Sequence, residues 1–133
     1  ASTVDVIWDL FHFGYPPTLN PLSRDFMHRF ADYCGAAARY LAPRTDGPLW
    51  VTPVNEPSYL AFAAGEQQLF PPHLTNAGCD LKIALVRAAI AGIDAIRAVA
   101  PDARFLNVDP LCHVVPPPER PDLVAAATRF NEG

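Results

Sequence analysis

Apolar residues along this chain follow two alternating rhythms. Three short runs are β-branched or aromatic, and the stretches between them repeat apolar positions every three or four residues. The first run, Val4 to Phe13 (VDVIWDLFHF), carries charge only on its two aspartates and reads as a buried strand. Gly14 to Pro21 is a loop, and Ser23 is placed to cap a helix. Phe26, Phe30, Tyr33, Ala37 and Leu41 follow as one apolar face. Pro43 and the turn Thr45-Asp46-Gly47-Pro48 stop that helix.

The second run, Leu49 to Val54 (LWVTPV), ends on Asn55-Glu56-Pro57. Ser58 to Thr75 is a long connection with a helical turn around Tyr59 to Ala64. Thr75 or Asn76 then opens a second long helix, with Leu81, Leu85, Ala89, Ile93 and Ile96 inward and Pro101 as its stop. Arg104 to Val108 (RFLNV) is the third strand. Past a proline-rich loop, Pro121 suits a first helical turn, and Leu123, Val124, Ala127 and Phe130 mark a last helix. The order β-α-β-α-β-α predicts a parallel sheet. A doubly wound sheet and a (β/α)8 barrel both satisfy it. No glycine fingerprint follows the first strand, so a dinucleotide fold has no support.

Composition narrows the function classes. The chain has 133 residues, half of them hydrophobic and 18% charged, which suits one packed domain rather than a disordered tract. A net charge of −4 without a basic stripe argues against nucleic acid as a partner. No run approaches the roughly 18 apolar residues that a membrane span requires, and no secretory signal pattern is visible. The 15 prolines cluster at Pro16-Pro17, Pro71-Pro72 and Pro116-Pro118, between the apolar segments, and punctuate loops. Cys34, Cys79 and Cys112 are odd in number and far apart. They are expected as reduced, mostly buried thiols of a cytoplasmic protein. His28, His73 and His113 are scattered without metal-ligand spacing, and neither a metal nor a cofactor is expected.

Polar residues collect at the C-terminal ends of the predicted strands: His12, then Asn55 and Glu56, then Asn107 to Asp109. In barrels that rim builds the active site. Pro57 cannot extend the ladder, so the strand must end there with Glu56 at its tip, in the extended backbone that a following proline favours. A carboxyl on a dry rim can hold a proton at neutral pH and pass it to a glycosidic oxygen. The Asn55 amide can bond a sugar 2-OH. The plainer alternative is that the two residues form only a polar turn. Pro53 is foreign to a strand interior and predicts a bulge or irregular end that re-aims Asn55 and Glu56. His12 is otherwise a core histidine. Trp8 reads as core filling on the face it shares with His12, and Asp9 as lying on the opposite face, paired with a helix. Tyr59 lines a cleft or braces a loop.

Asn-Glu-Pro after an apolar strand resembles the acid/base motif of the retaining β-glycosidases with barrel folds. The remainder is similar to glycoside hydrolase family 1, the β-glucosidase family. Leu10-Phe11-His12-Phe13 resembles its L-Y-H-W, Phe30 to Tyr33 its F-x-x-Y, and Trp50 with Asn55-Glu56-Pro57 its W-I-T-F-N-E-P. Asp122, Ala125 and Ala126 resemble D-x-x-A-A, while Phe130 and Gly133 resemble F-x-x-G. Phe13 replaces the family's tryptophan, Gly14-Tyr15-Pro16 replaces an acidic residue, Leu and Pro, and one extra residue separates Trp50 from Asn55.

The resemblance implies about three β/α units of a TIM barrel, similar to its third to fifth strands, as a single partial domain over residues 1–133. It implies retaining hydrolysis of a β-glycoside substrate, with Glu56 as general acid/base and His12, Asn55 and Tyr59 as substrate contacts. The nucleophile would come from the seventh strand, outside this chain. A full barrel takes roughly 250 residues, so the chain is expected to be a fragment, inactive by itself, with the rest of the barrel as its partner. Two other readings stay open. One is a non-catalytic carbohydrate-binding or structural protein on a degenerate barrel; the other is a different α/β enzyme in which the motif is accidental.

Overall fold

The computed structural model describes residues 4–132; Gly133 of the F-x-x-G resemblance lies outside them. The chain is mixed α/β. Three short strands form one parallel sheet: β1 (Ile7–Asp9), β2 (Trp50–Thr52) and β3 (Arg104–Phe105), in that spatial order. Four α-helices accompany them: α1 (Arg24–Leu41), α2 (Pro57–Gly65), α3 (Gly78–Arg97) and α4 (Val124–Glu132). The expected parallel order is present, although each strand is shorter than the apolar run that carries it.

β1 departs furthest from expectation. It is an edge strand, with Ile7 50% and Trp8 39% exposed, so neither the buried strand nor a core role for Trp8 holds. Among the described residues only β2 pairs with it, and beyond Asp9 the chain bends, so Trp8 and His12 do not share one strand face. Register and pleat place Trp8, Val51 and Phe105 on one face of the sheet, and Asp9 and Thr52 on the other. The first face meets the helices: Val51 is buried in the core, and Arg97 of α3 stacks over Phe105. No helix among the described residues covers the second face at Ile7 and Trp50, which stay exposed.

Pro53 leaves the predicted bulge. Val51 pairs with Phe105 and Asn55 pairs with Val108, four residues further along β2 against three along β3. One extra residue therefore sits at Pro53-Val54. Asn55 is thereby back in bridge register when the strand ends.

Ser23 caps α1 as expected, its side chain accepting from the Phe26 N–H at 3.2 Å. The buried face of α1 is Phe26, Phe30, Cys34 and Ala38, rather than the row through Tyr33 and Ala37, and Tyr33 is exposed. On α3 the buried row is Leu81, Leu85, Ala88, Gly92 and Ile96, with Ala89 and Ile93 only half-buried. Both corrections have one cause: α1 and α3 meet through small residues. A Cβ on Gly92 would lie 2.9 Å from the Cys34 sulfur and 3.2 Å from the Phe30 ring. The closest approach, and hence burial, follows these small residues rather than the largest apolar side chains.

The segment after Glu56 is a true helix, α2, longer than the single turn expected, with Pro57 at the N-terminal position that proline tolerates. α3 begins at Gly78 instead of Thr75 or Asn76, because its cap comes from elsewhere. Glu66, twelve residues earlier, accepts the Gly78 N–H at 2.7 Å. α3 ends at Arg97, ahead of Pro101. In α4 only Ala127 is buried; Val124 and Phe130 are exposed. Two hydrogen bonds tie α4 to the preceding loop: the Val114 N–H donates to Asn131 Oδ1 at 2.8 Å, and Asn131 Nδ2 donates to the Val114 carbonyl at 2.9 Å. Of the three free thiols, Cys34 alone is buried, so the mostly buried set does not hold. No described helix is long and apolar enough to cross a membrane.

Two measurements check this packing. A Cβ on Gly65 would lie 2.7 Å from the Gly78 Cα, a backbone atom that cannot step aside, whereas one on Gly14 meets nothing within 4 Å. Gly65→Ala should lower stability in urea unfolding by about 1–3 kcal/mol, and Gly14→Ala should stay within about 0.5 kcal/mol. Burial pushes the Cys34 thiol up to about 12. A thiol reagent at pH 8 should therefore label Cys79 and Cys112 in the folded chain and reach Cys34 only on unfolding.

Candidate functional site

The C-terminal rim of the sheet is built around the end of β2. The Asn55 N–H donates to the Phe11 carbonyl at 2.9 Å, and the Glu56 N–H donates to the Val108 carbonyl at 2.9 Å. Consecutive residues of the central strand are thus tied to opposite neighbours. This brings Asn55 and Glu56 beside the segment carrying His12 on one side and Asp109 on the other.

Glu56 does not take the extended backbone that the following proline favours. Its φ of 47° and ψ of 56° are left-handed, and it occupies the N-cap position of α2. The reason is tertiary. Only Pro53 to Glu56 separate β2 from α2, and the Glu56 carbonyl already accepts the first helical bond, from the Leu60 N–H at 2.9 Å. A left-handed residue makes that corner at a cost of about 1–2 kcal/mol for a non-glycine. Strain of this size in a residue of potential chemistry is a pointer to function. The Glu56 carboxylate has no hydrogen-bond or ion-pair partner among the described residues.

The N-cap side chain does not cap α2; Asp109 does so from the end of β3. Its carboxylate accepts the Ser58 N–H at 3.1 Å and the Ser58 hydroxyl at 2.6 Å, across 51 positions of sequence. A negative group at a helix N-terminus is favourable for both hydrogen bonding and dipole reasons. Glu56 is therefore held between two backbone bonds, with its following turn clamped to the neighbouring strand.

Asn55 is buried to 9% exposure, and its side-chain amide has no hydrogen bond among the described residues. No side-chain polar atom among the described residues is both fully buried and unpartnered, so the Asn55 amide reaches the surface. His12 is the opposite case, with its side chain 61% exposed. Its Nδ1 lies 2.7 Å from an Asp9 carboxylate oxygen, so Asp9 pairs with His12 rather than with a helix. The bend after β1 brings the two together.

An aromatic strap joins the two halves of the rim. The His12 ring lies 4.7 Å from Phe13, Phe13 lies 5.8 Å from Tyr59, and Phe70 packs on Phe13 and Tyr59 at 5.4 and 6.4 Å. Tyr59, one turn into α2, is thus brought to the same side as His12. The sequence names His12, Asn55, Glu56 and Tyr59 as site residues, and the fold gathers all four at one end of the sheet. The sequence places Asp109 at a strand end without a partner and Asp9 on the outer face, and it does not single out Ser58 or Phe70. The Asp9–His12 pair is detectable as Asp-x-x-His, while the Asp109–Ser58 pairing carries no local signal.

Neither main cleft contains Glu56. The larger, about 660 Å³, lies between the loop after β1 and α1, lined by Tyr15, Leu19, Phe26, Phe30 and neighbours. Burial raises the Tyr15 hydroxyl above its ordinary value there. The smaller, about 280 Å³, lies between the Pro53 bulge, α3 and Phe105. Among the described residues no group of three or more His, Cys, Asp or Glu is arranged to hold a metal.

Removing the Asp109 clamp should be measurable. Asp109→Ala should cost about 1–2 kcal/mol in denaturant unfolding, the range for losing a helix cap. Ser58→Ala keeps the backbone bond to Asp109 and should cost less. In the double variant the two losses should fall short of additive.

No model of a known protein family matches the chain, and no curated protein matches it.

Proposed function

We propose that this chain is part of a (β/α)8-barrel glycoside hydrolase that cleaves β-glycosidic bonds with retention, and that Glu56 is its general acid/base. The observation that carries the proposal is the placing of Asn55-Glu56-Pro57 at the tip of the central parallel strand, with the Glu56 carboxylate free of protein partners and its backbone held from both sides.

Three features of the fold support the barrel part of the reading. The strands neighbour each other in chain order, as a barrel requires and as half of a doubly wound sheet also has. The helices that pack on the sheet meet the face of Val51 and Phe105, and the other face is left uncovered among the described residues at Ile7 and Trp50, though not at the buried Thr52, as part of the inner face of a barrel wall would be. The extra residue before Asn55, the main departure from the family 1 spacing, is absorbed by the Pro53 bulge, so Asn55 and Glu56 still leave the strand in register with Val108.

In this mechanism the Glu56 carboxylic acid donates its proton to the glycosidic oxygen as the bond to the anomeric carbon breaks. A second carboxylate, supplied by the seventh strand outside this chain, attacks that carbon and forms a covalent glycosyl-enzyme. Glu56, now ionised, takes a proton from water as the water displaces the nucleophile. Asn55 supplies an unpartnered amide for the sugar 2-OH, His12 and Tyr59 contact the sugar or aglycone, and the substrate is a carbohydrate or glycoside. No metal or organic cofactor enters the scheme. A cytoplasmic location is consistent with the free thiols.

Glu56→Gln in the full-length protein tests the role. Hydrolysis of glycosides with poor leaving groups should fall by about 10²- to 10⁴-fold, the range for a lost general acid. Glycosylation by activated aryl glycosides, whose leaving groups need little protonation, should fall far less. Equal losses for both substrates, or no loss for either, would remove the acid role, and binding without hydrolysis by the unmutated protein would favour a carbohydrate-binding protein on the same scaffold.

A further inference from the structure

We propose that Asp9 is a positioning residue that fixes His12 as a hydrogen-bond acceptor toward the substrate. The two oxygens of the Asp9 carboxylate do different work. One lies 2.7 Å from His12 Nδ1, and the other accepts the Phe11 N–H at 3.3 Å. One side chain therefore braces both the turn after β1 and the imidazole presented by that turn. Its base is fixed, because Asp9 pairs with Thr52 in the sheet, and the next N–H, from Leu10, donates to the Thr52 carbonyl at 3.0 Å. On its other side the ring meets Phe13 at 4.7 Å.

The consequence is chemical. An ionised carboxylate can only accept a hydrogen bond, so Nδ1 must carry the proton. In a neutral imidazole the other nitrogen, Nε2, is then a bare lone pair. His12 Nε2 has no hydrogen-bond partner among the described residues, and the side chain is 61% exposed. The group it would bind is a donor, and a hydroxyl of a sugar ring is the donor that the glycosidase reading supplies. The pair is too exposed to be worth much as a stabilising contact, so its value lies in the choice of tautomer. The identity of the ligand rests on the proposed function; the tautomer does not.

The test uses the full-length protein labelled with ¹⁵N-histidine, at a pH where the imidazoles are neutral. A long-range ¹H–¹⁵N correlation spectrum reports which nitrogen is protonated, and His12→Gln identifies the His12 signals by their disappearance. The wild type should show His12 protonated at Nδ1, and Asp9→Ala should shift it toward Nε2. The wild-type spectrum is decisive by itself if Asp9→Ala folds poorly; Nε2 protonation there overturns the proposal. For glycoside hydrolysis, Asp9→Ala should lower kcat/KM by about tenfold, the loss of one well-placed hydrogen bond. It should cost almost nothing further in a His12→Gln background. Full additivity of the two losses would show that Asp9 does not act through His12. If the unmutated protein hydrolyses no glycoside while the tautomer is as stated, the glycosidase reading fails and the Asp9 effect on the tautomer stands. If Glu56→Gln abolishes hydrolysis and the tautomer is wrong, only the Asp9 proposal fails.

Discussion

The arrangement of the rim depends on the two residues that join the central strand to α2 being hydrogen-bonded to opposite neighbours. Asn55 donates to Phe11 and Glu56 donates to Val108, each at 2.9 Å. These bonds fix the path of the chain beyond β2 and the direction in which it leaves, and α2 begins directly after Glu56. The left-handed backbone of Glu56 is the price of satisfying both neighbours and a helix start within one residue. The Pro53 bulge upstream and the Asp109 clamp downstream both serve that junction, one by restoring register and the other by closing the first turn of α2.

A shared device runs through the helix starts. α2 and α3 lack local side-chain caps, and a distant carboxylate takes that role in each: Asp109 for α2 and Glu66 for α3. This couples each helix start to another element, so the rim is braced by tertiary contacts. The core beneath it is set by small residues. Gly92 and Cys34 let α1 and α3 approach closely, and Gly65 meets the Gly78 backbone where α2 turns toward α3. Buried aromatic packing among Phe11, Phe26 and Phe30 then fills the space under the β1 segment, with ring pairs at about 6 Å.

The physical causes of what was legible in the sequence are separable. Alternating periodicity is local, so the strand–helix order and the three parallel strands could be read from it. Ser23 is a local cap and Pro53 a local breaker, and both behave as their chemistry requires. The rotation of α1 and α3 was illegible because Gly92 and Cys34 touch although 58 positions apart, and apolar periodicity weighs neither residue heavily. The length of β1 was misjudged for a related reason. Its composition is that of a buried strand, but exposure depends on what lies beside it, and among the described residues it has one neighbour. At Glu56 the local preference of a residue before proline yields to two long-range hydrogen bonds. His12, Asn55, Glu56 and Tyr59 were legible as rim residues because strand ends are local features. Their supports, Asp109 and Ser58, were not.

The chemistry assigned to this rim needs one group that gives and then takes a proton on the same face of the sugar. The most direct measurement is the product formed by Glu56→Ala in the full-length protein when azide is added with an activated aryl β-glycoside. With the carboxylate gone, turnover should stall at the glycosyl-enzyme, and azide should enter the vacated space and attack the anomeric carbon without needing general-base help. The account predicts that azide restores turnover and that the product is the β-glycosyl azide, with retained configuration. Turnover unaffected by azide, or an α-configured azide, would contradict Glu56 as the acid/base of a retaining enzyme.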